Sequence, residues 1–328
     1  MNNISKNEWD NLKTVILGDA TNAKIPNLDK SLRTVNYADA LESKSIVSGY
    51  YPDVVIDEAN EDLEIFCDFL RTQNIEVLRP TPDADPEYYN YCPRDGVLVY
   101  DDIILSAPQP LRSRKGEEQY IEHHFNNLNA RYIRTYPELS DELYNEDCIG
   151  DPDTLALNEL EPCFDAANIL RANDDLFYLV SNSGNKKGAE YLQEVVGPQK
   201  KVWTIEGVYS YMHLDSTIAF LREGLMLLNP ERIKSKDQLP KPLQSWDVIW
   251  CPEPVDIGYH PGYNNASRWI SMNLFSINPN LVALEERQHT LRRKLETYKI
   301  DCAMLPMRQA RTLSGCFHCV TLDLKREH

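Results

Sequence analysis

The sequence lacks the features that mark membrane-spanning and secreted proteins. No apolar run approaches the roughly 20 residues that a membrane-spanning helix needs. Residues 1–19 lack a basic segment followed by an apolar one, so no signal peptide is indicated. We therefore predict a cytoplasmic location and no membrane partner.

Glycine and basic residues are also scarce. The chain has 13 glycines among 328 residues, and neither a G-x-G-x-x-G nor a G-x-x-x-x-G-K-[ST] phosphate loop is present. The formal net charge is −17, with 51 acidic against 34 basic residues. Such a balance repels nucleic acid. We predict no nucleic-acid partner and no cofactor.

Eight cysteines are too few for a disulfide scaffold in a chain of this length. Two of them form the pair Cys316-x-x-Cys319 near the end. A zinc site would need a second ligand pair at suitable spacing, and none is present, so no metal is predicted. A redox pair would need a helix N-terminus, but residues 319–326 alternate like a strand. Two interpretations of the pair remain. Both cysteines are unreactive thiols in the core, or one of them is a nucleophile whose general base is a histidine distant in the sequence.

An apolar fraction of 42% and 18 tyrosines indicate an ordered globular protein. Residues 12–19 predict a buried strand, residues 57–74 a helix and residues 74–80 a second strand. Residues 234–247 contain two prolines and are predicted to form a surface loop inside a domain. No low-complexity linker divides the chain.

One design recurs three times: an aspartate, a strand, a tight turn and a second strand. The three copies are residues 94–108, 164–182 and 214–230, and their aspartates are Asp95, Asp165 and Asp215. A single aspartate in such a place is explained by local turn capping. Repeated units around an axis, however, bring equivalent positions to one centre. Three carboxylates in register therefore predict an acidic cavity suited to a cationic substrate.

Of the seven histidines, His213 is the strongest candidate for a functional role. It stands two residues before Asp215, and on an extended segment those two side chains share a face. His318 adjoins Cys319, and on a strand it would point to the opposite face. The others are predicted to lie on polar helices, in a loop or at the terminus: His123, His124, His260, His289 and His328.

Several blocks of sequence together resemble the arginine:glycine amidinotransferase family. They are "EPCFDAANILRAND", "MHLDSTI", "LLNPERI", "RDGVLVYDDIILSAP" followed by "RSR", "ASRWISMN" and "SGCFHCVTLDLKR", and they run in order between about residues 7 and 326. The resemblance implies a single catalytic domain over residues 1–328. It also implies an α/β fold: a five-bladed propeller of ββαβ units with pseudo-fivefold symmetry.

The resemblance also assigns roles to residues at matching positions. It implies that Cys319 is the nucleophile, that His213 is the general acid and base, and that Asp165 orients and charges His213. Asp95 and Asp215 would hold a guanidinium, Arg232 would bind the α-carboxylate of the donor, and Ser267 and Met212 would belong to the same pocket. Cys316 is interpreted as a small residue without a catalytic role.

The activity implied is transfer of the amidino group of L-arginine, through an amidino–cysteine intermediate, to an amine. Met212 beside His213 matches the members that use glycine, so glycine is the expected acceptor, with L-ornithine and guanidinoacetate as products. Lysine, an ω-amino acid and an amine precursor of a secondary metabolite stay open as acceptors. A guanidine hydrolase on the same fold and an inactive binding module are the alternative functions. A homodimer is allowed by the sequence.

Overall fold

The computed structural model describes residues 4–39, 46–82, 84–209 and 211–327. His328, which was considered among the histidines, lies outside these ranges. Within them, no helix is long and apolar enough to span a lipid bilayer.

The described residues contain seventeen strands, numbered along the chain. They are β1 (Asn11–Leu17), β2 (Lys24–Ile25), β3 (Gly49–Tyr50), β4 (Glu76–Leu78), β5 (Val97–Tyr100), β6 (Ile103–Ser106), β7 (Arg131–Ile133), β8 (Ile169–Ala172), β9 (Asp175–Leu179), β10 (Lys201–Ile205), β11 (Ile218–Arg222), β12 (Leu225–Leu228), β13 (Asp247–Trp250), β14 (Phe275–Asn278), β15 (Leu281–Glu285), β16 (Asp301–Leu305) and β17 (Thr321–Glu327). The α-helices of the same residues are α1 (Lys30–Val35), α2 (Asp53–Thr72), α3 (Pro93–Gly96), α4 (Lys186–Val196), α5 (Lys241–Gln244) and α6 (His289–Thr297).

Five three-stranded sheets in the described part of the chain share one plan. Their strand orders are β17-β1-β4, β5-β6-β7, β8-β9-β10, β11-β12-β13 and β14-β15-β16. In each, the middle strand pairs antiparallel with one neighbour and parallel with the other. A parallel pair needs a crossover connection, and helical segments supply it between the second and third strands. The fold is therefore α/β, and the first sheet is completed by the C-terminal strand.

The three predicted hairpins are confirmed as β5–β6, β8–β9 and β11–β12. Each has a tight turn containing one residue in the left-handed region: Asp101 at φ 54°, Asn173 at φ 59° and Gly224 at φ 76°. Asparagine, aspartate and glycine adopt this conformation more readily than other residues. The sequence therefore marked these turns by their chemistry as well as by their position.

The predicted start of the long helix and the predicted loop over residues 234–247 are both wrong. The helix expected from residue 57 begins at Asp53, directly after Pro52. The buried side chains Val55 and Ala59 extend the apolar face of α2 by one turn toward its start. The stretch 234–247, predicted as a loop, contains a short 3₁₀ turn (Lys236–Gln238) and the helix α5. A proline at the second position of α5 is compatible with a helix start, which explains the error.

A buried cluster of charges lies among the apolar cores. Its carboxylates belong to Glu8 and Asp323, and its guanidinium groups belong to Arg94, Arg171 and Arg326; all five side chains are almost inaccessible to solvent. Arg171 donates to Glu8 through Nε at 2.7 Å and to Asp323 through Nη2 at 2.8 Å. Asp323 also accepts from Arg94 at 2.7 Å and from Arg326 at 2.6 Å.

This charge cluster connects separate sheets through main-chain carbonyls. Arg171, on β8, donates to the carbonyl of Val99 on β5 at 2.8 Å, and Arg326, on β17, donates to the carbonyl of Ser276 on β14 at 2.9 Å. Buried guanidinium groups must be fully paired to be tolerated. The cluster therefore fixes the relative positions of the strands that it joins.

We expect the replacement Asp323→Ala to destabilise the fold strongly. It would leave three buried arginines facing the single carboxylate of Glu8, and removing one partner of a buried ion pair typically costs about 3–5 kcal/mol. Urea unfolding followed by circular dichroism measures the change in the free energy of unfolding. The control is Glu296→Ala, which removes the exposed partner of Arg292 on α6 and should change the midpoint little. Equal, small effects of both changes would contradict a structural role for the cluster.

Candidate active site

The entrances to the first strands of the five three-stranded sheets hold polar side chains that gather in one place. Asp95 stands before β5, Asp165 before β8 and Asp215 before β11, as the repeats predicted. The equivalent positions in the other two sheets are occupied by Asn273, before β14, and Cys319, before β17. Contacts between neighbouring entrances link these side chains: Asn273 donates from Nδ2 to the Cys319 sulfur at 3.3 Å, and that sulfur lies 3.2 Å from Asp215 Oδ2.

His213 lies between two of the carboxylates. Its Nε2 is 3.0 Å from Asp165 Oδ2, its Nδ1 is 3.7 Å from Asp95 Oδ1, and its side chain is 12% exposed. Burial alone would lower the pKa of His213, but the negative charges of Asp95 and Asp165 and hydrogen bonds to Asp165 and Cys319 raise it well above its ordinary value. The surrounding carboxylates therefore favour the protonated, imidazolium form of His213.

Cys319 is a protonated thiol in the same environment. A hydrogen bond with Cys92, burial and the charge of Asp215 together raise the pKa of Cys319 well above its ordinary value, and the opposing hydrogen bond with His213 does not offset them. Only a thiolate is a strong nucleophile. Chemistry at this sulfur therefore needs an added positive charge nearby, and a cationic ligand in the cavity would provide one.

His318 was expected to point away from Cys319, and this prediction is wrong. The alternation of faces applies to strands, but residues 317–320 form a turn and β17 begins only at Thr321. His318 Nδ1 lies 3.0 Å from Asp215 Oδ2, and its Nε2 lies 3.4 Å from Glu8 Oε2. Burial would raise the pKa of Asp215, but the hydrogen bond and charge of His318 outweigh it and bring the pKa to about 2. Asp215 is therefore ionised.

Arg114, in the "RSR" motif, holds the Asp95 carboxylate. It donates from Nη1 to Asp95 Oδ2 at 2.7 Å and from Nε to Glu117 at 2.7 Å. The other oxygen of Asp95, Oδ1, is buried and has no hydrogen-bond partner within the described residues. A buried carboxylate oxygen without a hydrogen bond is costly, so this oxygen can still accept one. Asp95 contacts His213 but does not itself line the cavity that Cys319 borders.

A cavity of about 530 Å³ opens in front of Cys319 and His213, and the predicted pocket residues Met212, Arg232 and Ser267 border it. Arg232 donates from Nη1 to the Ser216 carbonyl at 3.0 Å and to two hydroxyl groups, and its guanidinium lies 3.5 Å from the centre of the Tyr209 ring. Among the described residues, Arg232 makes no ion pair. Arg268 and Arg311 border the same cavity but are already paired with carboxylates. Arg232 is thus the cation there that is available to an anionic ligand group.

Ser267, Met212 and Cys316 lie farther from the contacts around His213 and Cys319. Ser267 is exposed at the rim, where its hydroxyl accepts from the Trp269 N–H and caps the 3₁₀ turn Arg268–Met272. Met212 forms part of the wall and is half-buried. Cys316 is fully buried in the largest apolar cluster, away from the cavity lining. Over the described ranges, no group of three or more His, Cys, Asp or Glu is placed to hold a metal ion.

Sequence reasoning did not identify Cys92, Arg114 or Asn273 and misjudged His318. The "RSR" and "FHC" blocks did mark Arg114 and His318, but only as letters of a motif. Asn273 was detectable in principle, because it precedes a further strand–turn–strand segment, β14 and β15, just as the aspartates precede theirs. An asparagine in place of an aspartate hid the repeat.

Comparison with known proteins gives close relatives, although no family model matches the chain. Inosamine-phosphate amidinotransferase 1 of Streptomyces glaucescens is 40% identical over 337 residues, covering 98% of this chain and 95% of the relative. Mitochondrial glycine amidinotransferase of Gallus gallus is 30% identical over 349 residues, covering 98% of this chain and 82% of the relative.

Solved structures give the same result. Inosamine-phosphate amidinotransferase from Streptomyces griseus superposes with a TM-score of 0.95 at 38% identity, covering 99% of this chain and 97% of that one. An amidinotransferase of the saxitoxin biosynthetic pathway from Microseira wollei gives a TM-score of 0.90 at 27% identity, covering 100% and 98%. Dimethylarginine dimethylaminohydrolase from Pseudomonas aeruginosa, at 14% identity and a TM-score of 0.63 over 95% of this chain and 99% of that one, shares the fold alone.

We expect Asp215→Asn to lower the pKa of Cys319. Removing a negative charge 3.2 Å from the sulfur makes the thiolate less unfavourable, and an adjacent charge shifts a pKa by about 1–3 units. The rate of Cys319 alkylation by iodoacetamide, followed by peptide mass spectrometry across a pH series, measures the midpoint. In the wild type it should lie above about 8.5, the ordinary value for a thiol.

The matched control for this titration is Asp39→Asn. Asp39 borders the same cavity but is exposed to solvent, so its charge is screened. The midpoint for Cys319 should stay unchanged in this variant. A midpoint that is equal in the wild type and in Asp215→Asn would show that Asp215 does not control the ionisation of Cys319.

Proposed function

This chain belongs to the amidinotransferase family and to the pentein superfamily of folds, and from that premise we propose that it transfers the amidino group of L-arginine to an amine through a covalent intermediate on Cys319. One observation carries the proposal: the carboxylate of Asp215 lies 3.2 Å from the Cys319 sulfur at one end of the cavity, and Arg232, which makes no ion pair among the described residues, borders the same cavity. Arginine is a molecule with a planar cation at one end and a carboxylate near the other.

In this proposal, Asp95 and Asp215 bind the guanidinium. Charge-assisted hydrogen bonds to carboxylates are short and strong, and two carboxylates on different sides of a planar cation fix its orientation. The free Oδ1 of Asp95 accepts one N–H, and Asp215 Oδ2, now 3.2 Å from the sulfur, accepts another. The central carbon of the guanidinium is then held beside Cys319.

Binding of the cation also activates the thiol. The positive charge of the bound guanidinium offsets the negative charge of Asp215, which otherwise raises the pKa of Cys319. The thiol therefore releases its proton to solvent when arginine binds. The thiolate attacks the guanidinium carbon, and His213, already protonated, donates a proton to the departing nitrogen. The carbon–nitrogen bond breaks, ornithine leaves, and the amidino group stays on Cys319.

In the second half of the reaction, the same bond changes occur in reverse with a different amine. An acceptor amine enters the vacated cavity, attacks the amidino carbon and loses a proton to the now neutral His213. The carbon–sulfur bond then breaks, which frees the Cys319 thiolate and releases the guanidino product. Asp165, at 3.0 Å from Nε2, keeps the imidazole oriented and stabilises its charged form in both halves.

For the acceptor, we propose an amine of the inosamine-phosphate type ahead of glycine. The relatives named for inosamine phosphate are 40% identical to this chain, whereas the glycine amidinotransferases are 30% identical. Because ornithine leaves first, Arg232 becomes available again and can pair with an acceptor phosphate or carboxylate. Glycine stays the second candidate, on the ground of Met212 beside His213.

We also propose that residues 1–328 form one catalytic domain, with the five three-stranded sheets as blades around an axis through the cavity. The shared strand plan supports this arrangement. The five equivalent strand entrances also converge, because Asp95 and Asp165 contact His213 while Asp215 and Asn273 contact Cys319. The cytoplasmic location and the homodimer stay predictions.

An adduct experiment tests the function. With arginine alone, the enzyme should release at most one equivalent of ornithine and gain the mass of one amidino group on Cys319, because a transferase must keep water from a productive attack. Adding inosamine phosphate or glycine in separate reactions should discharge the adduct and start steady ornithine release, with the true acceptor giving the higher rate. Intact-protein mass spectrometry and ornithine detection measure both steps.

The controls are Cys319→Ser, which should form no adduct, and Cys316→Ala, which should still form it. Steady formation of citrulline, or of ornithine with ammonia, from arginine and water alone would instead identify a guanidine hydrolase. Absence of an adduct at neutral and mildly alkaline pH, with arginine bound, would point to an inactive binding module.

A second experiment tests the orientation of the donor. Arg232→Ala should raise the KM for arginine about 10- to 100-fold, since a hydrogen bond to a charged group contributes about 1.5–3 kcal/mol. It should have little effect on the KM for agmatine, which has the guanidinium but no carboxylate. Arg268→Ala is the matched control, because that cation is already paired with Glu231 and Glu253. An equal effect of Arg232→Ala on both donors would remove Arg232 from the carboxylate site.

A further inference from the structure

The thiol that contacts Cys319 is not its partner in the C-x-x-C motif. Cys92, from the segment that leads into α3, lies beside Cys319: the Cys92 sulfur and the Cys319 Cβ flank the same point next to Gly315, and the neighbouring Cys92 thiol is the largest cause of the raised pKa of Cys319. The thiol of Cys316 is instead packed in the apolar core. The functional thiol pair therefore joins positions 92 and 319, which are far apart in the sequence.

Gly315 makes room for this pair. A Cβ atom at position 315 would lie 2.4 Å from the Cys92 sulfur and 3.2 Å from the Cys319 Cβ, so any side chain there would occupy the space in which the two cysteines meet. Both cysteines are at most 2% exposed. The absence of a side chain at Gly315 thus keeps the two thiols in contact inside the protein.

The two thiols differ in access from the cavity. Cys319 borders the 530 Å³ cavity, whereas Cys92 does not and lies behind it, against Tyr89 and Arg114. A small oxidant that enters the cavity therefore meets the Cys319 sulfur first. The Cys92 thiol is placed to react with whatever forms on that sulfur.

We propose that Cys92 is a resolving cysteine, which captures an oxidised Cys319 as a Cys92–Cys319 disulfide when a hydroperoxide enters the cavity. In the first step the thiolate form of Cys319, which mildly alkaline pH or a cation bound in the cavity favours, attacks one oxygen of hydrogen peroxide; the O–O bond breaks, and a sulfenic acid and one water form once the released hydroxide takes up a proton. In the second step the Cys92 sulfur attacks the sulfenic sulfur, and the hydroxyl group leaves with the Cys92 proton as a second water. Two electrons pass from the thiols to the peroxide, and the atoms balance.

This disulfide would block the Cys319 sulfur, and it would also protect that sulfur from further oxidation. A sulfenic acid without a neighbouring thiol is oxidised further to sulfinic and sulfonic acids, which thiol reductants do not reverse. A disulfide is returned to two thiols by a dithiol reductant. Disulfides in cytoplasmic proteins are commonly of this transient kind. If Cys319 is the nucleophile, the enzyme stops during oxidation and recovers afterwards.

Hydrogen peroxide treatment of the full-length protein at mildly alkaline pH, where a larger fraction of the raised-pKa thiols is ionised, tests the proposal. In the wild type, the intact mass should fall by two hydrogen atoms, and a peptide map made without reductant should link the Cys92 and Cys319 peptides. Dithiothreitol should restore most of the Cys319 alkylation by iodoacetamide. In Cys92→Ala the fraction of Cys319 restored should be about tenfold lower, with sulfinic and sulfonic Cys319 in its place.

Cys92→Ser is the second variant in case the alanine change impairs folding, and Cys316→Ala is the control that should behave like the wild type. A Cys316–Cys319 link, or equal recovery of Cys319 in wild type and Cys92→Ala, would overturn the assignment. Since the masses and the alkylation do not depend on turnover, the result stands apart from the amidinotransferase proposal. Failure of that proposal would appear in the arginine adduct experiment alone.

Discussion

The buried charge cluster of Glu8, Asp323 and the three arginines is the constraint on which the rest of the structure depends. Buried ion pairs add little net stability compared with apolar packing, but once present they must be complete, because an unpaired charge in the interior is very unfavourable. Asp323 alone accepts from three guanidinium groups. A shift of one sheet relative to another would break several of these bonds at once, so the cluster selects one arrangement of the sheets.

The same cluster reaches the cavity. Arg94 donates from Nε to the His318 carbonyl at 2.7 Å, and Glu8 Oε2 lies 3.4 Å from His318 Nε2. His318 in turn contacts Asp215, which contacts the Cys319 sulfur. The buried charge cluster and the candidate active site are therefore connected by a continuous series of polar contacts. The orientation of Asp215 depends on charges that never touch a ligand.

The electrostatics of the site favour the protonated forms of both His213 and Cys319. The carboxylates that give His213 its proton also keep the proton on Cys319, because negative charge favours the protonated form of both groups. A neutral or anionic molecule in the cavity would not lower the pKa of Cys319. A cation bound between Asp95 and Asp215 would lower it, and the two carboxylates would also hold that cation in place. Selection of the substrate and activation of the thiol thus have one physical origin.

The sequence predicted the parts of this arrangement that depend on local pattern. The hairpins were visible from their turn residues and apolar strands, and the three aspartates were visible because they stand at equal places in those hairpins. The pairing of β17 with β1 was not visible, since it joins residues more than 300 positions apart and neither strand carries a turn signal. The Cys92–Cys319 contact was missed for the same reason, because the C-x-x-C spacing directed attention to a neighbour in sequence.

The position of Cys319 in the fold bears on how its thiol can be ionised. A reactive cysteine is often found at a helix N-terminus, where the helix dipole lowers its pKa. Here the residue lies in a turn that leads into β17, and the turn is fixed by other means: Asn273 Oδ1 accepts from the backbone N–H groups of His318 and Cys319 at 3.0 and 3.2 Å, and Gly18 donates to the carbonyl of Val320 at 2.8 Å. These hydrogen bonds fix the position of the thiol, but they place no positive charge next to the sulfur. In the proposed reaction, the guanidinium of the donor adds this positive charge, so the donor would help to form the thiolate that attacks it.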